Sequence, residues 1–273
     1  MSGGARAGRD VRAPARKTFV IDAFPASAFR HLERDAIVCV DVMESATTLV
    51  TAVAQGRRAL VAASLDEAQA LAAGLDHPLV GGEAASPGGG TFEIADSPAR
   101  LLASTDTARP LVLFSPPGTE LITNAAPARA VLVACFRNLT ATADHLVRHF
   151  RHVALLAAGL REEFSCEDLM GTARIAAVLE RRGFEAGDLR SAELVARWGA
   201  VDPSLAGWGN GAARLRRLGR EDDLELILGR LDDVPLGCLY RNGEVTPARE
   251  ARAGAGGVRS DRHPALEPPP AQS

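Results

Sequence analysis

The residues best able to do chemistry in this sequence are carboxylates placed where apolar runs end. The fullest example starts with Val153-Ala154-Leu155-Leu156-Ala157, turns at Ala158-Gly159, and then delivers Glu162, Glu163 and Phe164-Ser165-Cys166-Glu167-Asp168. Strand, polar turn and helix start is the order of a site in an α/β protein, whose ligands sit beyond the carboxyl ends of parallel strands. Adjacent carboxylates there suit a divalent metal, because hard cations take oxygen ligands. The same residues also have a structural use. Ser165 followed three residues later by Asp168 forms a capping pattern, and acidic residues in a first turn complement the helix dipole. Both readings stay open on this stretch alone.

Stepping along the chain shows the pattern repeated. Five apolar runs each end in a polar or glycine-containing cluster, at Asp41, Glu83, Ser115 to Thr119, Asn138, and Gly159 to Asp168. If those strands are parallel in one sheet, the clusters converge on one acidic, hydroxyl-rich edge. Asp41, Glu83 and Asp168 are then the candidate metal site; the competing reading is that each carboxylate caps the helix it precedes.

The elements that must position these groups follow from pattern. Strands are expected at 18–21, 36–40, 59–63, 110–114, 130–134 and 153–157, and a last one within 234–240. Ala36-Ile37-Val38-Cys39-Val40 has the continuous apolar character of a strand buried on both faces. Helices are expected after Glu44 up to Gly56, over 64–74 with Ser64 as cap and Glu67 completing a capping box, and over 139–150, 169–182 and 188–198. The fold class is therefore α/β: a largely parallel or mixed sheet with helices on both faces. The loop Ser86-Pro87-Gly88-Gly89-Gly90 lets backbone approach a ligand but lacks a spaced phosphate fingerprint.

Composition narrows the class of function. The 273 residues are 47% hydrophobic and 24% charged, enough for a sizeable core in one large domain or two joined subdomains. A formal net charge of −3 argues against nucleic-acid binding, and no apolar run approaches a membrane span. Residues 1–17 read as a disordered leader without the apolar core of a signal peptide, 18–245 as the folded domain, and 246–273 as a disordered tail. Cys39, Cys135, Cys166 and Cys238 form no CxxC pair, which fits a reducing, cytoplasmic setting and no zinc pattern. Lys17 is the sole lysine and lies in the leader, which removes Schiff-base and P-loop chemistry. No GxSxG elbow occurs, and the six histidines lie away from the clusters. A homodimer is compatible with the apolar helices.

Aligned in order, the clusters resemble those of the 2-phosphosulfolactate phosphatase (ComB) family, magnesium-dependent phosphatases of coenzyme M biosynthesis. That family's Asp-Val-Leu-Arg-Ala-Thr-Thr-Thr-like segment is similar to Asp41-Val42-Met43-Glu44-Ser45-Ala46-Thr47-Thr48. Its Gly-Glu-Arg and Phe-x-x-Gly-Asn-Ser-Pro resemble Gly82-Glu83-Ala84 and Phe92 to Pro98. Its Thr-Thr-Asn-Gly-Thr-Arg resembles Ser115-Pro116-Pro117-Gly118-Thr119-Glu120. Asn138, Ala158-Gly159 and Phe164-Ser165-x-Glu167-Asp168-Leu169 follow, so the resemblance spans about residues 36 to 240.

The resemblance implies a ComB-like fold and a magnesium-dependent hydrolase of a small-molecule phosphate ester, that of a 2-hydroxy acid or related biosynthetic intermediate. It implies Asp41, Glu83 and Asp168 as catalytic, with Asp41, Glu83, Glu167 and Asp168 around the metal. Thr47, Thr48, Ser97, Gly118, Thr119, Asn138 and Ser165 become substrate-binding candidates. The departures matter too. Where the family pattern has arginine this chain has Glu44, Ala84 and Glu120, and where it has asparagine it has Pro117. Arginine's planar fork is the preferred partner of phosphate and sulfonate, so carboxylates in those places repel a multiply charged anion. Two alternatives therefore stay open: a non-catalytic descendant that binds a metabolite or partner, and a lyase or transferase acting on a related substrate.

Overall fold

The structure is a computed structural model, and it describes residues 16–82, 92–159 and 163–248. Glu83, Ala84, the loop Ser86 to Gly90, Glu162, most of the leader and nearly all of the tail lie outside the described residues.

Along the chain come β1 (Lys17–Ala23), β2 (Ala36–Val40), α1 (Ser45–Ala54), β3 (Ala59–Val61), α2 (Leu65–Ala73), β4 (Leu79–Gly82), β5 (Ile94–Ala95) and α3 (Pro98–Ala103). β6 (Leu111–Phe114), α4 (Gly118–Ala125), β7 (Val131–Ala134), α5 (Leu139–His149), β8 (His152–Ala157) and α6 (Cys166–Arg181) follow. The chain continues with β9 (Phe184–Ala186), α7 (Leu189–Trp198), α8 (Asn210–Arg217), α9 (Glu221–Gly229), β10 (Cys238–Arg241) and β11 (Glu244–Pro247). All five residues of β2 are buried, as its unbroken apolar run requires. β1 already includes Lys17, and β11 reaches Pro247, past the point where the tail is drawn from sequence.

Among the described residues the strands form one mixed sheet in the order β5-β4-β6-β3-β11-β10-β7-β2-β8-β1-β9. β7, β2, β8, β1 and β9 are mutually parallel, and so are β3, β6, β4 and β5. Between the two sets lies the β10–β11 hairpin, antiparallel to β7 on one side and to β3 on the other. Three successive antiparallel pairings make the two parallel sets run in opposite senses, so the sheet is mixed, one of the two forms expected, and the apolar runs are not all parallel. The cause is local. Asn242 and Gly243 both have positive φ, 52° and 81°, as the tight two-residue hairpin turn demands.

The strand ends still meet. Sheet twist accumulates at about 20–25° per strand step, and α1 and α4 lie where the two sets face one another. α1 packs against β7, β3 and β6, and α4 against β2, β7 and β3. One core joins Ile37, Cys39, Val133 and Leu156 of the first set to Leu111 and Leu113 of the second through Leu49, Val53, Leu121 and Ile122. On the other face of the first set, Val38, Val40, Leu132 and Leu155 pack against Leu146 of α5 and Met170 and Ala173 of α6. Helices therefore cover both faces, as the α/β reading expects. No helix among the described residues is long and apolar enough to cross a membrane.

Candidate active site

Asp41 is the first residue after β2, and only 6% of it is exposed. It faces the first turn of α4 so closely that a Cβ on Gly118 would lie 2.0 Å from its Oδ2 and 2.8 Å from Ser45 Cβ and Oγ. This is the close approach that a glycine permits and any larger residue blocks. The Ser45 hydroxyl stands beside Asp41 and lies 2.8 Å from the carbonyl of Ser115 and 3.0 Å from Oδ2 of Asp96. That contact ties the end of β2 to the end of β6, across the two opposed strand sets.

Asp168 comes from the first turn of α6. Ser165 caps that helix, its hydroxyl accepting from the Asp168 N–H at 3.2 Å, so the capping reading describes Ser165. The Asp168 carboxylate points the other way. It accepts from the backbone N–H of Val42 at 2.7 Å and of Gly159 at 3.1 Å, fastening α6 across the ends of β2 and β8. Glu167 is 2% exposed, packed against glycines 209 and 211, where a Cβ would lie 2.8 Å and 2.1 Å from its oxygens.

Electrostatics show how crowded these acids are. Burial and then the charge of Asp96 push the Asp41 carboxyl well above the ordinary range. Burial, then Asp41 and Glu167, do the same to Asp168, outweighing its two backbone hydrogen bonds. Asp96 is raised by burial, although it accepts from the Thr48 hydroxyl at 2.5 Å. Burial and Asp96 push Glu44 upward against the pull of Arg220 and Arg214. Among the described residues, then, Asp41, Glu44, Asp96, Glu167, Asp168 and Asp223 are buried together with two guanidinium groups, Arg214 and Arg220, in their midst.

The other residues singled out from sequence fall into distinct places. Thr48 and Ser97 belong to the acidic cluster: Thr48 through Asp96, and Ser97 by bonding Asp223 at 2.7 Å and capping α3. Thr119 is fully buried at the start of α4, its hydroxyl accepting from the Ser115 N–H at 3.1 Å. Thr47 turns back to donate to the Val42 carbonyl at 2.8 Å. Asn138 is not brought to the cluster through its side chain. Its amide accepts from Cys135 N–H at 3.0 Å and donates to the carbonyls of Val133 at 3.2 Å and Leu236 at 3.3 Å, beside the Cys238 thiol, which it also bonds. Glu83 lies outside the described residues. Sequence reasoning passed over Asp96, Asp223, Arg214 and Arg220 as site residues. The basic run around Arg214 to Arg220 was visible, but nothing in its spacing says that α8 and α9 carry it back onto the start of α1.

Cys166 does not supply a nucleophile. Burial, followed by the neighbouring Glu167, pushes its thiol up to about 12, whereas a reactive cysteine has a depressed value. Beside it opens a cavity of about 320 Å3 lined by Phe164, Cys166, Leu169, Arg190, Leu194, Arg197 and Trp198; Asp41 and Asp168 are not in its wall.

Asp41, Glu167 and Asp168 are the oxygen donors that could hold a hard dication. Among the described residues no three His, Cys, Asp or Glu side chains are placed as a ready ligand group. Magnesium does not require one, because it keeps several waters and uses one or two carboxylates together with substrate phosphate. Asp41, raised by burial and Asp96, and Asp168, raised by burial and Asp41, are the acids that could take that part.

Comparison with known proteins decides the lineage. The sequence profile of the 2-phosphosulpholactate phosphatase family matches residues 24–236. The chain belongs to that family. It is therefore a phosphatase by descent, in a family of phosphoric monoester hydrolases. A probable 2-phosphosulfolactate phosphatase of Symbiobacterium thermophilum is 31% identical over 76% of this chain and 92% of that protein. One from Deinococcus radiodurans is 31% identical over 80% and 96%, and one from Carboxydothermus hydrogenoformans 29% identical over 79% and 92%. The family match covers Asp41, Asp96, Gly118, Glu167 and Asp168 alike.

Proposed function

We propose that this chain is a magnesium-dependent phosphatase that hydrolyses the phosphate monoester of a small 2-hydroxy acid or a related biosynthetic intermediate. The observation that carries the reading is the burial of Asp41 and Asp168 where β2, β8 and α4 meet, Asp41 against Gly118 and Asp168 on the Val42 and Gly159 N–H groups. A buried excess of carboxylates is costly unless protons or a cation balance it. When bound, magnesium supplies positive charge against the phosphoryl oxygens and aligns them for in-line attack.

The two acids divide the work by their bonding. Asp168 spends its oxygens on Val42 and Gly159 N–H groups, so it orients the ends of β2 and β8 and offers a fixed ligand. Asp41 has the Ser45 hydroxyl as its neighbour, lies against the turn at Gly118 and takes no backbone pair of N–H bonds like that of Asp168, so it is the acid that would meet the cation or the phosphorus. Glu167 adds negative charge behind both, and Glu83 is a further ligand or base. At the start of α4 the Gly118 N–H is the backbone donor offered to an incoming oxyanion, since the Thr119 N–H is bonded to the Ser115 carbonyl. Four unpaired cysteines suit work in a reducing compartment, the cytoplasm.

The test is phosphate release from a panel of 2-hydroxy-acid phosphate esters, in chelator and with magnesium restored. Release that returns with magnesium and falls by about 100-fold or more in Asp41→Asn is the expected result. Equal release in chelator, or full activity in Asp41→Asn, contradicts it.

A further inference from the structure

Glu44 precedes the first residue of α1 and is 3% exposed, and its carboxylate makes no capping bond to that helix. Two guanidinium groups close on it. Arg214 of α8 approaches Oε1 at 3.4 Å, Arg220 bonds the same oxygen at 3.1 Å, and a second arm of Arg220 pairs with Oε2. Arg220 is itself fixed by Asp223, Nε to Oδ2 at 2.8 Å, and by the backbone carbonyl of Asp96. Two oriented arginines converging on one buried point are a built seat for a phosphate- or sulfonate-like anion. Here the chain fills that seat with its own side chain.

The seat borders the reacting groups. Arg214 lies within electrostatic reach of Asp41, and Glu44 within reach of Asp96. Beside those arginines, the charges acting on Glu44 are those of Asp96 and Asp223, both acidic. A metal ion can neutralise a phosphoryl group and an adjacent carboxylate, but a further strong anion on the substrate would meet Glu44 in the one place shaped to receive it. Like charges set against each other at close range suppress binding of the wrong partner, which is enough to decide between substrates.

We infer that Glu44 is an internal counter-ion standing where an extra anionic group would bind, so that this chain selects phosphate monoesters lacking a sulfonate or comparable strong anion. The inference rests on the phosphatase reading and narrows its substrate. Glu44 is thus a specificity-determining residue, and the family's named substrate, which carries a sulfonate, is the wrong one for this chain.

The experiment has two arms. In the first, wild-type enzyme with magnesium is given 2-phosphosulfolactate and its unsulfonated analogue, 2-phospholactate. A kcat/KM higher by about tenfold or more for the unsulfonated ester is expected, and a preference for the sulfonated ester overturns the inference. In the second, Glu44→Ala opens the seat. That variant melts at a lower temperature than wild type, and methanesulfonate raises its melting temperature far more than that of wild type. An equal response of both proteins overturns the inference, and the first arm still decides if the variant does not fold. Should wild type release phosphate from neither ester, the phosphatase reading fails, and the methanesulfonate response separately judges the seat.

Discussion

Replacing Gly118 by alanine probes the contact on which the site depends. The added methyl would lie 2.0 Å from Asp41 Oδ2 and 2.8 Å from two atoms of Ser45. Since carbon and its neighbours settle about 3.5–4.0 Å apart, the Asp41 carboxylate must retreat by about 1.5 Å. It has little room, because β2 is buried and Asp168 and Asp96 crowd the same space. A displacement of about 1 Å at a reacting group can cost about 100-fold in rate. Overpacking costs about 1–3 kcal/mol of stability, while alanine in place of glycine returns up to about 1 kcal/mol within a helix. The net loss is about 0–2 kcal/mol, a fall of a few degrees in melting temperature for a domain of this size. Gly118→Ala should therefore stay folded by circular dichroism yet release phosphate about 100-fold more slowly. Gly229→Ala is the control, since a Cβ there meets nothing within 4 Å. Activity of Gly118→Ala within about threefold of wild type would refute the claim that Asp41 must stay where Gly118 lets it lie.

Two further outcomes follow from the same contacts. In chelator, folded Asp41 and Asp168 hold protons that the unfolded chain has already released, because their folded values lie above the ordinary carboxylate value. Stability should then fall as pH rises from about 4 through neutrality, with magnesium or Asp41→Asn flattening the slope; denaturant unfolding across that range measures it. Asn138→Ala strips the partners from Cys135 N–H and from two carbonyls, one of them on the segment before β10, and should cost about 1–3 kcal/mol in denaturant unfolding. Its activity per folded molecule should stay close to wild type, and a loss of turnover without a loss of stability would return Asn138 to the substrate.

Much of the fold was legible because its strands are continuous apolar runs bounded by turn residues. β2, β6, β7 and β8 fall within about a residue of where composition puts them. Ser64 caps α2 by accepting from the Glu67 N–H, although Glu67 bonds Ala63 N–H one residue earlier than an ideal box would have it. The reversed half-sheet was less visible, yet its signal was present: Asn242-Gly243 between Tyr240 and Val245 is the strongest short hairpin signature. α8 was obscured by its glycines and its run of arginines, whose apolar side is only Ala212 and Leu215. Within the site, Asp41, Glu167 and Asp168 could be named from their strand-end positions. The Glu44 to Arg220 pairing could not, because it joins residues 176 apart in sequence. Asn138, a polar residue at a strand end, turns its amide to backbone groups, which its place in the sequence does not reveal.

The most direct measurement is a titration of Mn2+, as a paramagnetic stand-in for magnesium, into wild type, Asp41→Asn and Gly229→Ala, following free ion by electron paramagnetic resonance. Saturable binding in wild type and Gly229→Ala, with affinity weakened by about tenfold or more in Asp41→Asn, is the result expected if the buried acids hold the cation. No binding in wild type, or unchanged binding in Asp41→Asn, would contradict it.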